Sequence, residues 1–201
     1  MQLLILSCSS QSSSWVFPDC FELQETRSWS VTASPWFLTK EQSVFVPEDC
    51  SFRGPVQVDG EAELLAGTMS GSKCMGVRFW PEHPFPEPGR YDLECVGGQS
   101  FDWTVEVTGE PTPDVGLLES IDVLDADPGQ RVIRLNGLAD DATADGALLR
   151  VSAGEGSGFA ADPLFVLGQS GSCEGSDVLV VRAEDPDGRD VGTGAVRVPC
   201  D

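Results

Sequence analysis

Strict two-residue alternation sets the limits on how this chain can fold. From Phe101 to Thr108 it reads Phe-Asp-Trp-Thr-Val-Glu-Val-Thr, with aromatic or β-branched side chains at every odd position and polar ones between. Successive side chains of a strand point to opposite faces, so such a run makes one buried and one wet sheet face. It cannot supply the 3.6-residue stripe of a helix. Tyr91-Asp-Leu-Glu-Cys95 repeats the pattern just upstream, and Val96-Gly-Gly-Gln-Ser100 between them carries glycines that tolerate a tight turn. The two runs are expected to pair as an antiparallel hairpin.

Other strand candidates are shorter. Val56 to Val58 and Ala62 to Leu64 flank Asp59-Gly60, a favoured two-residue turn, and read as a second hairpin. Trp29 to Val31, Trp36 to Leu38, Val44 to Val46 and Cys74 to Trp80 follow, until Pro81, Pro84, Pro86 and Pro88 interrupt regular structure. Glu110-Pro-Thr-Pro-Asp114 stiffens the chain and ends the alternating strand. Beyond it the chain has no Trp or Lys and is rich in Gly, Ala, Asp and Val. Its strands are expected at 121–124, 132–135, 147–151, 164–167, 178–183 and 191–198, with at most a short helical turn between Leu138 and Leu149. Short strands at regular spacing indicate sandwiches, and one small sandwich needs about 100 residues. The 201 residues are therefore expected to form an all-β protein of two tandem β-sandwich domains. Residues 20–109 make the first and 114–201 the second, with a Pro-rich linker at 110–113. Residues 1–19 are read as a truncated signal and a Ser-rich tether.

The charge balance narrows the partners. Thirty-three acidic side chains against twelve basic ones leave a net charge of −21. That field repels phosphate backbones, so nucleic acid is not an expected partner. No segment approaches the ~18 consecutive apolar residues of a membrane-spanning helix. Seven cysteines remain to be explained. Setting Cys8 aside leaves Cys20, Cys50, Cys74, Cys95, Cys173 and Cys200, an even set suited to disulfides in an oxidising compartment. A turn at Asp187-Gly188 brings Cys173 and Cys200 to similar heights, and the Pro-rich loop does the same for Cys74 and Cys95. Cys20 and Cys50 would then form the third bridge. Each bridge is worth about 2–4 kcal/mol.

The residues offer little catalytic chemistry. His83 is the single histidine, no Gly-x-Ser-x-Gly nucleophile turn occurs, and neither Lys40 nor Lys73 sits in a phosphate-binding loop. No enzyme activity and no obligatory cofactor are expected. Calcium is the one metal candidate, because Asp185-x-Asp187-Gly188-x-Asp190 gathers carboxylates on a short turn. Trp36 and Trp80, beside Pro35 and Pro81, are expected to be exposed and able to stack on a sugar, whereas Trp103 alternates with core positions.

Two resemblances add a location. Ile5-Leu-Ser-Cys8 resembles the lipobox of bacterial lipoproteins, which implies that Cys8 carries a lipid anchor. No Lys or Arg precedes it, so the start of translation is expected upstream of Met1. Phe79-Trp-Pro, Pro88-Gly-Arg-Tyr91-Asp-Leu-Glu-Cys95 and Phe101 to Val107 resemble the last strands of bacterial Ig-like domains. Val178 to Val198 is similar to the final hairpin of Ig-like and fibronectin-III-like repeats. These likenesses imply an exported protein of the cell envelope, on the outer surface or in the periplasm. It would act without catalysis as a binding or spacer module for a protein or glycan partner and would meet the membrane only through Cys8. A carbohydrate-binding module, or a small all-β glycoside hydrolase using paired carboxylates, is the alternative.

Overall fold

The computed structural model describes residues 15–16, 28–39, 49–66, 75–96, 103–125, 127–154, 156–169 and 175–200. These residues are all-β, with no helix among them. In chain order the strands are β1 (Trp15–Val16), β2 (Ser28–Ser30), β3 (Trp36–Thr39), β4 (Asp49–Arg53), β5 (Val58–Ala66), β6 (Met75–Pro81), β7 (Gly89–Val96) and β8 (Thr104–Thr108). They continue as β9 (Gly116–Asp125), β10 (Gln130–Leu138), β11 (Leu148–Ala153), β12 (Gly156–Ala160), β13 (Leu164–Gln169), β14 (Ser176–Glu184) and β15 (Asp190–Pro199).

The first unit is one ladder in the order β2-β8-β7-β4-β5-β6-β3. Its β7–β8 hairpin pairs Tyr91 with Val105 and Gly89 with Val107, as the alternation requires. Tyr91, Leu93, Val105 and Val107 are buried, while Asp92, Glu94 and Glu106 face water. The expected hairpin at Asp59-Gly60 does not form. Val58–Ala66 is one continuous strand that changes partner at Gly60, pairing with β4 on one side of it and with β6 on the other. A Cβ at Gly60 would lie 2.3 Å from the Trp80 carbonyl oxygen, so only glycine allows this close crossing. The ladder thereby folds over on itself. Phe52 of β4 meets Phe79 of β6 edge-on at 4.7 Å, and Phe37 of β3 stacks on Trp103 at 4.6 Å. Trp103, expected in the core, is half-buried and packs against it. The Tyr91 hydroxyl donates to the Glu87 carbonyl at 2.7 Å, which makes this corner a tyrosine corner of the kind found in Ig-like sandwiches.

The second unit packs sheet β1-β13-β10-β9 against sheet β12-β11-β14-β15. Ile133, Leu135, Phe165 and Leu167 of the first meet Leu149, Val151, Leu179, Val181 and Val198 of the second in the core. β9 and β15 come close because β15 carries glycines. A Cβ at Gly192 would sit 2.7 Å from Cβ of Leu118, and one at Gly194 would sit 2.8 Å from Cδ1 of Ile121. The β14–β15 register follows the turn at Asp187-Gly188 from Ser176↔Pro199 to Ala183↔Gly192 and slips by one at Glu184↔Asp190. Between Leu138 and Leu148 the chain makes turns and no helix.

One part of the expected layout is corrected. Trp15 and Val16, placed in the tether by composition, pair antiparallel with Gln169 and Gly168 of β13. The Trp15 side chain is fully buried, and its indole N–H donates to Asp177 Oδ2 at 3.0 Å. A large aromatic with its one donor satisfied is a strong anchor. The chain thus enters the second sandwich first, crosses to build β2–β8, and returns to complete it.

Candidate functional site

The densest polar chemistry lies where the two units meet. β6 explains why. Gly76, Val77, Arg78 and Phe79 are all buried, so both faces of this strand are covered, one by the first core and the other by the second unit. Arg78 therefore has its guanidinium in the junction, with a side chain 0 % exposed, and pairs with Glu184, whose side chain is 3 % exposed. Its Nε donates to the Ser34 carbonyl at 3.3 Å and its Nη2 to the Asp185 carbonyl at 3.2 Å. The guanidinium also lies 4.8 Å from the centre of the Trp80 ring, within cation–π reach. Burial pulls the Arg78 pKa below its ordinary value, and Glu184 opposes that pull by favouring the charged form. An arginine remains a cation under these conditions.

Glu184 is shared. Its Oε1 lies 3.3 Å from Arg150 Nε and 3.2 Å from Arg182 Nε. Arg150 Nη2 reaches back across the junction to Glu63 Oε1 at 3.3 Å, and Glu63 Oε2 accepts the Trp80 indole N–H at 2.9 Å. A closed set of charges thus links β5 and β6 to β11 and β14. Only Arg78 and Glu184 are buried in it, and breaking that pair by removing one member costs far more than an exposed pair is worth. Around it the backbone closes the joint. Ser34 N–H donates to the Pro186 carbonyl at 2.8 Å, and the Trp36 indole donates to the Gly146 carbonyl at 2.8 Å. Gly188 adopts φ +84°, and a Cβ there would stand 2.3 Å from the Trp80 ring. The rim is polar: Asp187 Oδ1 accepts from Thr32 at 2.9 Å and from Thr112 at 2.8 Å. One contiguous apolar cluster runs beneath, from Phe52 and Phe79 on one side to Leu149 and Val181 on the other.

This geometry reassigns several expected site residues. Trp36 is not exposed but fully buried in the joint, and Trp80 is half-buried over Gly188 and Arg78, so the two do not form a paired open platform. The turn singled out for calcium lies at the joint. Besides its rim contacts, Asp187 pairs with Arg189 at 3.0 Å. Asp185 Oδ1 accepts the Arg189 amide at 2.7 Å, and Asp190 Oδ1 accepts the Gly192 amide at 2.8 Å. Among the described residues no group of three metal-ligating side chains converges. His83 lies on the exposed Pro81–Pro88 loop, pinned beneath by buried Phe85.

Cys50 is buried opposite Cys95 in the β4–β7 ladder, and Cys50 and Cys200 are each engaged in a disulfide. Cys8, Cys20, Cys74 and Cys173 lie outside the described residues. Arg78, Glu184, Arg150 and Glu63 escaped the sequence reading. The available signal was Arg78 itself, a lone charge inside the apolar run Met75 to Trp80, where a strand covered on both faces demands a buried partner.

The described residues form an all-β fold whose sheets meet at a buried, charge-paired joint. No family profile and no curated protein matches the chain. Among solved structures it is similar to the fibronectin(III)-like modules of Clostridium thermocellum CbhA at 10 % identity, over 87 % of this chain and 89 % of that one, with a TM-score of 0.29.

Proposed function

We propose that the protein is an exported, lipid-anchored, non-catalytic module of the cell envelope that holds a binding surface at a fixed distance from its anchor. The junction carries this reading. A protein that only needed two binding units could connect them with a flexible linker. Here the Arg78–Glu184 pair, the Trp36 indole and a continuous apolar cluster are spent on fixing one unit against the other. The excess of acidic side chains suits a dispersed, soluble exposed body. Cys8 is the proposed attachment point, and the remaining cysteines are proposed to be bridged. Protein partners are proposed to meet the Pro81–Pro88 loop, which presents exposed His83, Pro84 and Pro86 over a fixed base.

Three measurements test this. Expression with an export leader, followed by lipid labelling, should give a lipid-modified protein that loses the label on Cys8→Ser. Alkylation without reductant should find no free thiol among the other six cysteines. Backbone relaxation by nuclear magnetic resonance should give one tumbling time for both units. Independent tumbling would remove the spacer role, and an unlabelled wild-type protein would remove the anchor.

A further inference from the structure

We infer that lipid attachment at Cys8 seats the molecule on the free end of the second sandwich, next to the bilayer, and carries the first sandwich outermost. This rests on the anchored reading above, and it reverses the order in which the chain is written.

The second sandwich has two distinct ends. At one, Glu184, Pro186, Gly188 and Gly146 dock against the first unit. At the other lie the start of β14 at Ser176, the end of β15 at Pro199 and the end of β13 at Gln169. Trp15 belongs to this far end: it pairs with Gln169 and donates to Asp177, one residue into β14. The nine residues of β14 separate the two ends by eight steps, about 26 Å at 3.3 Å per residue.

The covalent chain supplies the rest. Cys8 and Trp15 are separated by residues 9–14, and a fully extended chain spans at most ~3.6 Å per residue. Trp15 is therefore held within about 25 Å of any lipid on Cys8. Had residues 9–19 been a free leash to the first sandwich, that unit would have been the nearer one. The Trp15 anchor removes this option. In the first sandwich the strand ends farthest from the joint are Thr39, Asp49, Ala66, Met75 and Val96, grouped by the registers Thr39↔Met75, Ala66↔Met75 and Asp49↔Val96. These would form the outermost edge of the molecule.

The test uses the full chain, coupled through Cys8 to a maleimide lipid in vesicles containing phosphatidylglycerol. A fluorophore is placed on a click-reactive residue at position 197 or position 94. Arg197 is exposed beside the far end of the second unit, and Glu94 is exposed in the first unit. Energy transfer to an acceptor on the lipid headgroups should be several-fold stronger from position 197. A second reading with Trp15→Ala should bring the two positions toward equal transfer, because the leash then lengthens. Equal or reversed transfer in the unaltered protein would overturn the orientation. The anchoring reading is judged separately by lipid labelling in cells. A lipid-free protein there, with strong transfer from position 197 in vesicles, would remove the anchor while leaving the geometry standing.

Discussion

Removing Glu184 should cost more than removing Arg78, and removing both should cost less than removing Glu184 alone. The asymmetry comes from what each partner leaves behind. Glu184→Leu strands Arg78, whose side chain is 0 % exposed, with only the Ser34 and Asp185 carbonyls as acceptors. An uncompensated buried charge of this kind costs about 3–5 kcal/mol. Arg78→Met leaves Glu184 still paired with Arg150 at 3.3 Å and Arg182 at 3.2 Å, so no buried charge is stranded; the guanidinium's bonds to Glu184 and to the Ser34 and Asp185 carbonyls are lost, of which the charged pair alone is worth about 1.5–3 kcal/mol. The double variant buries no unpaired charge. Arg150 keeps Glu63 and Arg182 keeps Asp190, so adding Arg78→Met to Glu184→Leu should restore stability. Equilibrium urea unfolding followed by tryptophan fluorescence reads all four proteins. For a chain of this size, 3–5 kcal/mol corresponds to a fall in Tm of about 6–20 °C. Additive costs in the double variant would refute the paired-burial reasoning and leave the joint resting on its apolar cluster.

Three further outcomes follow from single features. Gly188→Ala should destabilise by at least about 1–2 kcal/mol in thermal melts, since φ +84° disfavours an L side chain and the new Cβ would strike the Trp80 ring. Trp15→Ala should cost about 3–5 kcal/mol through the cavity it leaves and should expose the β13 edge to hydrogen exchange. Tyr91 is the one tyrosine in the chain, so the tyrosinate absorbance reports it alone. Burial raises its pKa, with the bond to the Glu87 carbonyl acting the other way, so the folded protein favours the neutral phenol. That contribution to stability is complete below the ordinary tyrosine value of about 10 and is lost as pH climbs through the higher folded midpoint. Tyr91→Phe should flatten this alkaline loss.

What the sequence made legible were the elements whose two faces differ. β7, β8, β14 and β15 alternate because one side meets the core and the other meets water, and the Asp187-Gly188 turn carried the β14–β15 register with it. β5 was misread because Asp59-Gly60 has the composition of a turn while serving as a crossing point, a difference set by Trp80 and Phe79 from another strand. β12 was missed because Gly156-Ser-Gly-Phe-Ala160 has little side chain to show a pattern. Trp36 was misjudged through its neighbour Pro35, since local composition does not report that a second unit covers the strand. Asp185-Pro-Asp-Gly188 shows a related limit: the composition of the turn does not announce that Asp187 meets the hydroxyls of Thr32 and Thr112 from a distant strand.

The pairing of β1 with β13 also bears on how the chain assembles. Trp15 is made first, yet its partner Gln169 follows about 150 residues later. Contacts of such long sequence separation slow folding, because the intervening chain must close before they form. The first sandwich lightens that closure. Its opening strand β2 and closing strand β8 lie side by side, with Ser28 level with Glu106, so once folded it joins its two ends at nearly one point. Roughly half of the intervening chain is thereby removed from the loop, a saving of about 0.6 kcal/mol. Were the inserted sandwich to fold first, it would serve as a clasp for the pairing of Trp15 with Gln169 that closes the second sandwich.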